Sequence, residues 1–182
     1  MRTLAITQNI TVDGSIEFLG DWFDPTDEDP DVLEEIHRQS AREEALVLGR
    51  QTFEDLRSFW PHQHDDRTGI AAHLDQVAKY VVSSTLADPG WANSTVLDTD
   101  WLGQLAALKQ GDGGDVVVTG SISLCAPLIE AGLVDEFRLF VHPVVQGRGR
   151  RLFSDDGPEL RLTMRVSRGF PSGVVLLIYS PG

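Results

Sequence analysis

Short runs of consecutive apolar residues alternate along the first two thirds of this chain with stretches whose apolar positions recur every three or four residues. The runs at 45–48, Lys79–Ser83 and Asp115–Thr119 predict strands buried on both faces, because a strand covered by helices on each side keeps no polar face. Residues 3–12, TLAITQNITV, are rich in β-branched side chains and end at the turn signal Asp13-Gly14, so they predict a first strand. A helix is predicted over Asp31–Glu44, with Val32, Leu33, Ile36 and Gln39/Ser40 on one face and Asp31 near its start. Further helices are predicted from about Arg50 to Ser58, stopped by Phe59-Trp60-Pro61, and over a short span near Ile70–Gln76. Thr52 and Asp55 have capping-box spacing, with Asp in place of the usual Glu or Gln. A strand at Thr95–Leu97 precedes a helix near Trp101–Lys109, whose apolar positions are Trp101, Leu102, Leu105 and Leu108. Ile122–Ala131 reads as a helix with Leu124, Cys125, Leu128 and Ile129 inward, and Gly132 supplies its C-terminal cap.

After Gly132 the rhythm changes. Phe137, Leu139 and Val141 alternate with Arg138, Phe140 and His142, and Leu160, Leu162, Met164 and Val166 alternate with Arg161, Thr163, Arg165 and Ser167. Val174–Tyr179 is a last strand after a turn containing Pro171 and Gly173, so the final pair predicts an antiparallel hairpin. Strands alternating with helices imply a parallel sheet, and the terminal strands an antiparallel extension of it. The chain thus reads as one α/β domain over 1–182, without a repeat or a second domain.

The segment 14–30 has Gly14, Gly20, Pro25 and Pro30 and no periodicity; a long loop of this kind in a compact domain is functional or mobile. It holds much of the acid run Asp21–Glu35, which reads as a solvated loop leading into a helix. The net charge of −13 argues against a nucleic-acid partner, since phosphate backbones call for clustered Lys and Arg, but a local pocket can still hold one anionic ligand. Cys125 is the single cysteine, so no intramolecular disulfide forms, and its neighbours suggest a buried thiol. No signal peptide and no membrane-spanning apolar run is evident, so no membrane partner and a cytoplasmic location are expected. The tract HQHDDRTG at 62–69 reads as a polar loop rather than a metal site, and no metal is expected.

Candidate chemistry gathers where strands end. One strand runs into Gly49-Arg50-Gln51-Thr52, a second ends at Ser83-Ser84-Thr85 and a third at Thr119-Gly120-Ser121. Helix N-termini present unpaired N–H groups and a positive dipole end, glycine admits close approach, and arginine offers a charged fork. Alone, Gly49-Arg50 is equally a strand-to-helix turn with a surface arginine. In an open α/β sheet, ligands bind outside the carboxyl ends of the strands, so the set together points to a phosphorylated nucleotide cofactor. No GxGxxG dinucleotide fingerprint is present, and Gly147-Arg148-Gly149 reads as a bulge or turn. Arg148, Arg150 and Arg151 are open between surface charge, a salt-bridge cluster and a handle for substrate phosphate.

The chain resembles the dihydrofolate reductase-like family, and specifically proteins similar to the C-terminal reductase domain of bacterial riboflavin biosynthesis enzymes. The resemblance rests on TQNITVDG at 7–14, LVLGRQTFE at 46–54, KYVVSSTL at 79–86, VVVTGSISL at 116–124 and LIEAGLVDEFRLFVHPVVQGRGRRLF at 128–153. It implies a three-layer α/β/α fold around a central mixed, mostly parallel sheet with antiparallel C-terminal strands. It also implies NADPH. Gly49, Arg50, Gln51 and Thr52 match the helix start that meets cofactor phosphate; Ser83, Ser84 and Thr85 match the turn on the adenosine 2′-phosphate side. Thr119, Gly120, Ser121 and Ile122 match the turn under the pyrophosphate, Asn9 and Ile16 flank the nicotinamide, and the loop 14–30 matches the mobile loop over the cofactor. The riboflavin-pathway relatives suggest a homodimer.

Departures bound the substrate. Thr119-Gly120 stands where dihydrofolate reductases carry paired glycines, the pterin-protonating acid falls near Leu33 with Glu34 adjacent, and the arginine for the folate tail has no match. Dihydrofolate is therefore not the expected substrate, and the lysine usual in riboflavin-pathway reductases is also missing after Asp13-Gly14. The expected reaction is hydride transfer from NADPH to a small heterocycle (pterin-, pyrimidine- or flavin-like) or carbonyl compound, with Asp13, Glu17 and Glu34, or an ordered water, as proton-donor candidates. Trp22, Phe53 and Trp60 are candidates for an apolar substrate pocket. His142 is assigned a sheet or interface role. The alternative is a module that binds or senses NADPH without turnover.

Overall fold

A computed structural model describes residues 1–182 except Glu28, 154–156 and Pro158; Glu28, part of the acid run, thus lies outside the described residues. The strands are β1 (Leu4–Thr11), β2 (Glu43–Gly49), β3 (Ala78–Val82), β4 (Ser94–Leu97), β5 (Asp115–Thr119), β6 (Glu136–His142), β7 (Leu162–Gly169) and β8 (Val175–Pro181). The helices are α1 (Pro30–Ser40), α2 (Arg50–Phe59), α3 (Ile70–Gln76), α4 (Trp101–Gln110) and α5 (Ile122–Glu130), with a 3-10 turn at Trp60–His62. The strands form one sheet in the order β4-β3-β2-β5-β1-β6-β8-β7. Every pairing from β4 to β6 is parallel, while β8 runs antiparallel to β6 and β7 antiparallel to β8. This is the mixed, mostly parallel sheet expected from the alternation of elements, in the three-layer arrangement that the resemblance implied.

Side-chain alternation sorts each strand between two faces. Leu4, Ile6 and Ile10 of β1 join Val116, Val118, Phe137 and Leu139 beneath α4 and α5, which contribute Leu105, Leu124, Cys125 and Leu128. On the opposite face the cover is split. Ala5, Leu46, Leu48, Val81 and Val117 pack under α2 and α3 through Phe53, Trp60 and Leu74. Phe140, Leu176 and Ile178 pack under α1 through Val32 and Ile36. A seam therefore runs between α1 and α2 across the middle of the sheet, and by the same alternation Thr7 and Asn9 of β1 face it.

Two expectations are corrected, and one stands. The first helix ends at Ser40, not Glu44; Glu43 already belongs to β2 and pairs with Asp115 of β5. Its cap is Asp29, whose carboxylate accepts the N–H groups of Asp31 and Val32. Thr52 and Asp55 make no capping box: the Thr52 hydroxyl accepts the Ser121 N–H at 2.9 Å, and Asp55 takes the Gln51 amide. Gly132 ends α5 with φ +64°, and the N–H of Leu133 returns to the Leu128 carbonyl. Among the described residues no helix is long and apolar enough to cross a membrane.

Candidate functional site

The first residues of α2 and α5 are joined to each other. The Gly49 N–H donates to Ser121 Oγ at 2.9 Å, and the Ser121 N–H donates to Thr52 Oγ1 at 2.9 Å. The Gln8 amide adds a bond to the Gly120 carbonyl at 2.6 Å. Gly120 and Ser121 both adopt positive φ, +56° and +46°, which turns the chain sharply from β5 into α5. Neither helix has a side-chain cap, and neither carries an acid in its first turn. Two sets of unpaired N–H groups thus converge at one sheet edge, where helix dipoles favour an anion.

Beside them lies a cleft of ≈ 590 Å³ walled by Gly49, Arg50 and Gln51, by Ser83, Ser84 and Thr85, and by Ser123. Asp98, Thr99 and Trp101, at the end of β4 and the start of α4, complete it. β3 and β4 pair in parallel, Val82 opposite Leu97, so both strands release their chains at this edge. Ser83 Oγ accepts the N–H groups of Thr85 and Leu86 and shapes that turn. Arg50, about half exposed, pairs with Glu54 one turn along at 3.1 Å. An exposed pair of this kind is weak, so the guanidinium is available to an incoming phosphate. The chemistry of this donor set fits a nucleotide: hydroxyls, a guanidinium and helix N-termini for phosphate, an indole for a base. Thr119, Gly120, Ser121 and Ile122 do not wall this cleft; of them, Gly120 and Ser121 take part in the α2–α5 junction beside it.

The proposed proton donors occupy other roles. Asp13 accepts Thr11 Oγ1 at 2.6 Å and the N–H groups of Gln146 and Gly147 at 3.0 and 2.7 Å. These bonds hold its carboxyl down at about 2, so it carries no proton to give near neutrality. Glu17 accepts the Arg150 N–H and Nε, each at 3.0 Å, and is likewise lowered. Glu34 is exposed on the outer side of α1. The buried acid is its neighbour Glu35, held by Arg38 and Gln39 and facing Arg168 of β7, which ties α1 to the sheet edge.

The aromatic candidates separate as well. Phe53 is fully buried in the core under α2 and presents no surface to a substrate. Ile16 is also buried, packed in the cluster that holds Ile10 and Leu152. Trp60 is 4% exposed and backs a second cleft of ≈ 340 Å³ formed by Thr26 and residues 62–68. That loop is built rather than slack: Asp66 accepts the N–H groups of Thr68 and Ala71, and the Thr68 carbonyl meets His37 of α1 at 2.6 Å. Among the described residues no group of His, Cys, Asp and Glu is arranged to hold a metal. Trp22 packs edge-on to His142 at 5.1 Å between centroids, with Phe18 and Phe23 beside it. His142 Nε2 meets Asn9 Oδ1 at 3.0 Å, and burial lowers its basicity, so the ring is neutral at physiological pH. Asn9 and His142 thereby join at the end of the seam. Thr7, further along it, has a hydroxyl oxygen that is buried without a hydrogen-bond partner.

Sequence reasoning missed Asp98, Thr99, Trp101 and Ser123 in the cleft, and Thr7 and Gln146 elsewhere. The first three had a usable signal: they follow a strand, as Ser83 does. Thr7 and Gln146 had none, because their significance lies in partners more than a hundred residues away or in the lack of any.

A model of the RibD C-terminal domain matches residues 2–176. The chain is 32% identical to the uncharacterized protein YyaP of Bacillus subtilis strain 168 over 185 residues, covering 98% of this chain and 94% of that one. In structure it is similar to a pyrimidine reductase-like protein from Corynebacterium diphtheriae, with a TM-score of 0.69 at 15% identity over 99% of this chain and 92% of the other. It is also similar to dihydrofolate reductase from Enterococcus faecalis, solved with NADP(H), with a TM-score of 0.64 at 18% identity over 99% and 96% of the two chains. Matched along nearly its whole length, with the fold and strand-end motifs described above, the chain belongs to the RibD C-terminal domain family.

Proposed function

We propose that this protein is an NADPH-dependent reductase that passes hydride to a small heterocyclic or carbonyl acceptor. The observation that carries the reading is the junction of α2 and α5, whose uncapped N-termini are bolted together beside a cleft holding Arg50, Ser83, Ser84 and Thr85. The cofactor supplies the hydride. The chain's part is to bind and orient: the helix starts and Arg50 take the phosphates, Trp101 borders the adenine end, and the seam bearing Thr7, Asn9 and His142 receives the acceptor's polar edge. With Asp13 and Glu17 ion-paired or hydrogen-bonded, the proton that completes reduction of a C=N or C=O bond comes from water reaching the seam. Dihydrofolate is not the proposed acceptor, and the site needs no metal.

Fluorescence titration with NADPH tests this directly. Binding well below ~100 μM is expected, within the ordinary range for enzyme ligands. Arg50→Ala should weaken it about tenfold or more, the worth of a charged hydrogen bond, with Tm unchanged. Absence of binding to the wild-type protein would refute the reading. A second reading, an NADPH-binding module without turnover, draws support from the engaged state of both loop carboxylates. It gains if NADPH binds but no carbonyl, imine, pterin or flavin in a panel is reduced. The chain would act as a single folded unit, possessing in β7 a free edge suited to a second copy; a cytoplasmic location and a homodimer remain proposals, which size-exclusion chromatography with light scattering checks for the latter.

A further inference from the structure

Gln146 has a hydrogen-bond set unlike any other side chain described in the molecule. Its Oε1 accepts Trp22 Nε1 at 2.8 Å and the Leu19 N–H at 3.2 Å. Its Nε2 reaches Ser15 Oγ at 2.8 Å, the Glu17 carbonyl at 3.0 Å and the Arg148 carbonyl at 2.8 Å. One amide therefore spans the whole first part of the β1–α1 loop.

The backbone around it repeats the pattern. Asp13 takes the N–H groups of Gln146 and Gly147, the Arg150 carbonyl accepts the Ile16 N–H, and Ser15 bridges to Arg151. Arg148 donates to the Leu19 carbonyl, and Arg150 pairs with Glu17 at 2.9 Å. A Cβ on Gly149 would stand 2.7 Å from Ser15 Oγ and 2.9 Å from Gln146 Nε2, so this contact also requires the small residue. Residues 13–22 and 146–151 are laced together at both the side-chain and the backbone level. Such lacing is the opposite of what a hinged lid needs, since opening would break many bonds at once. At its far end the lacing fixes the indole of Trp22, which lies against His142, the hydrogen-bond partner of Asn9.

We infer that Gln146 is a positioning residue: it presets the loop 13–22 as a fixed wall and holds Trp22 at the acceptor end of the seam. The inference rests on the reductase reading for what the wall faces. The lacing itself does not.

The test uses the full chain in three forms: wild type, Q146M, which keeps length and volume without the amide, and Q146E, which keeps the acceptor for Trp22 and loses the donor. Hydrogen exchange across 14–22 needs no cofactor. In Q146M the Leu19 amide should exchange at least about tenfold faster, as expected when a bond worth about 1.4 kcal/mol is lost. The second readout is energy transfer from Trp22 to bound NADPH, taken as the difference between each form and the same form carrying Trp22→Phe. Q146M should lose this signal while its NADPH affinity stays within about twofold, since the cleft at Arg50 is built from other elements. Q146E, whose carboxylate still accepts the Trp22 indole N–H and the Leu19 N–H, should keep both the Trp22 signal and the protection at Leu19. A residue of purely structural importance would lower Tm and leave the Trp22 signal intact in the folded fraction. Unchanged exchange in Q146M overturns the lacing, and an unchanged Trp22 signal overturns the positioning role. If the wild type fails to bind NADPH, the reductase reading and the placement of Trp22 beside the cofactor both fall, while the exchange arm still decides whether Gln146 locks the loop. Should Q146M not fold, Gln146→Ala, which also lacks the amide, carries both readouts.

Discussion

Gly120 concentrates several requirements in one residue. Its φ is +56°, and a Cβ there would stand 2.8 Å from Thr52 Cγ2. The same side of Thr52 holds the Ser121 N–H, so the methyl cannot be accommodated without loosening the α2–α5 junction. Gly120→Ala is expected to cost about 1–3 kcal/mol through the left-handed backbone and the contact. It should also weaken NADPH binding several-fold, because the N–H groups of α5 move with it. Thermal unfolding and cofactor titration of the variant measure the two effects. That Gly49-Arg50-Gln51-Thr52 marks a helix start was legible, since glycine, arginine and the apolar run before them are local. That the Thr52 hydroxyl serves Ser121 was not, because the partner lies 69 residues away and the local capping-box spacing pointed to Asp55.

Among the elements, the β1–α1 loop departs furthest from expectation. Its lack of periodicity suggested a functional or mobile segment; the bonds from residues 13–22 to 146–151 show an irregular stretch held by side chains rather than by repeating backbone pattern. The carboxylates of Asp13 and Glu17, expected as proton-donor candidates, are engaged as latches between the loop and residues 146–150. The arginines at 148, 150 and 151 belong to the same latch rather than to a substrate handle. His142 gives this element a pH response. Burial lowers its pKa from 6.5, with Asp27 opposing weakly. A base with a lowered folded pKa takes up a proton on release, so docking is fully stable above pH 6.5 and is lost as pH falls through the folded value. Trp22 emission followed from pH 8 to 5, roughly the range in which a histidine titrates, should report increasing exposure of the indole, and His142→Gln should abolish the change. Asp13, held at about 2, stays charged over this range and contributes no slope to it.

At the scale of the molecule, charge and site occupy opposite ends of the sheet. Arg138 is 1% exposed and lies between Asp115 at 2.6 Å and Glu136 at 2.7 Å, with Arg42 also on Asp115 at 3.2 Å. Asp115 and Glu136 begin β5 and β6, so this ion cluster locks the entering ends of strands whose leaving ends build the cofactor edge. Arg138→Leu leaves buried carboxylate short of its partner and is expected to destabilise the fold by about 3–5 kcal/mol. The urea midpoint should fall accordingly, while NADPH affinity in the folded protein stays near wild type because no member of the cluster touches the cleft.

Hydrophobic periodicity by itself determined which segments are strands and which helices, their order, and the antiparallel pairing of the last two strands, because burial on one or two faces writes directly into residue spacing; that β6, also after Gly132, pairs parallel with β1 it did not determine. Glycines and hydroxyls after apolar runs likewise marked the strand ends. The tertiary structure alone decided what those ends do to one another. It inserted β5 between β1 and β2, and so brought Ser121 to Gly49 and Thr52. It set Gln146 against the loop, and it turned Phe53 and Ile16 into core while leaving Thr7 with a buried, unpaired hydroxyl. The physical reason is range: spacing along the chain reports burial, whereas a hydrogen bond between residues seventy or more positions apart depends on sheet order and register, which no local pattern encodes.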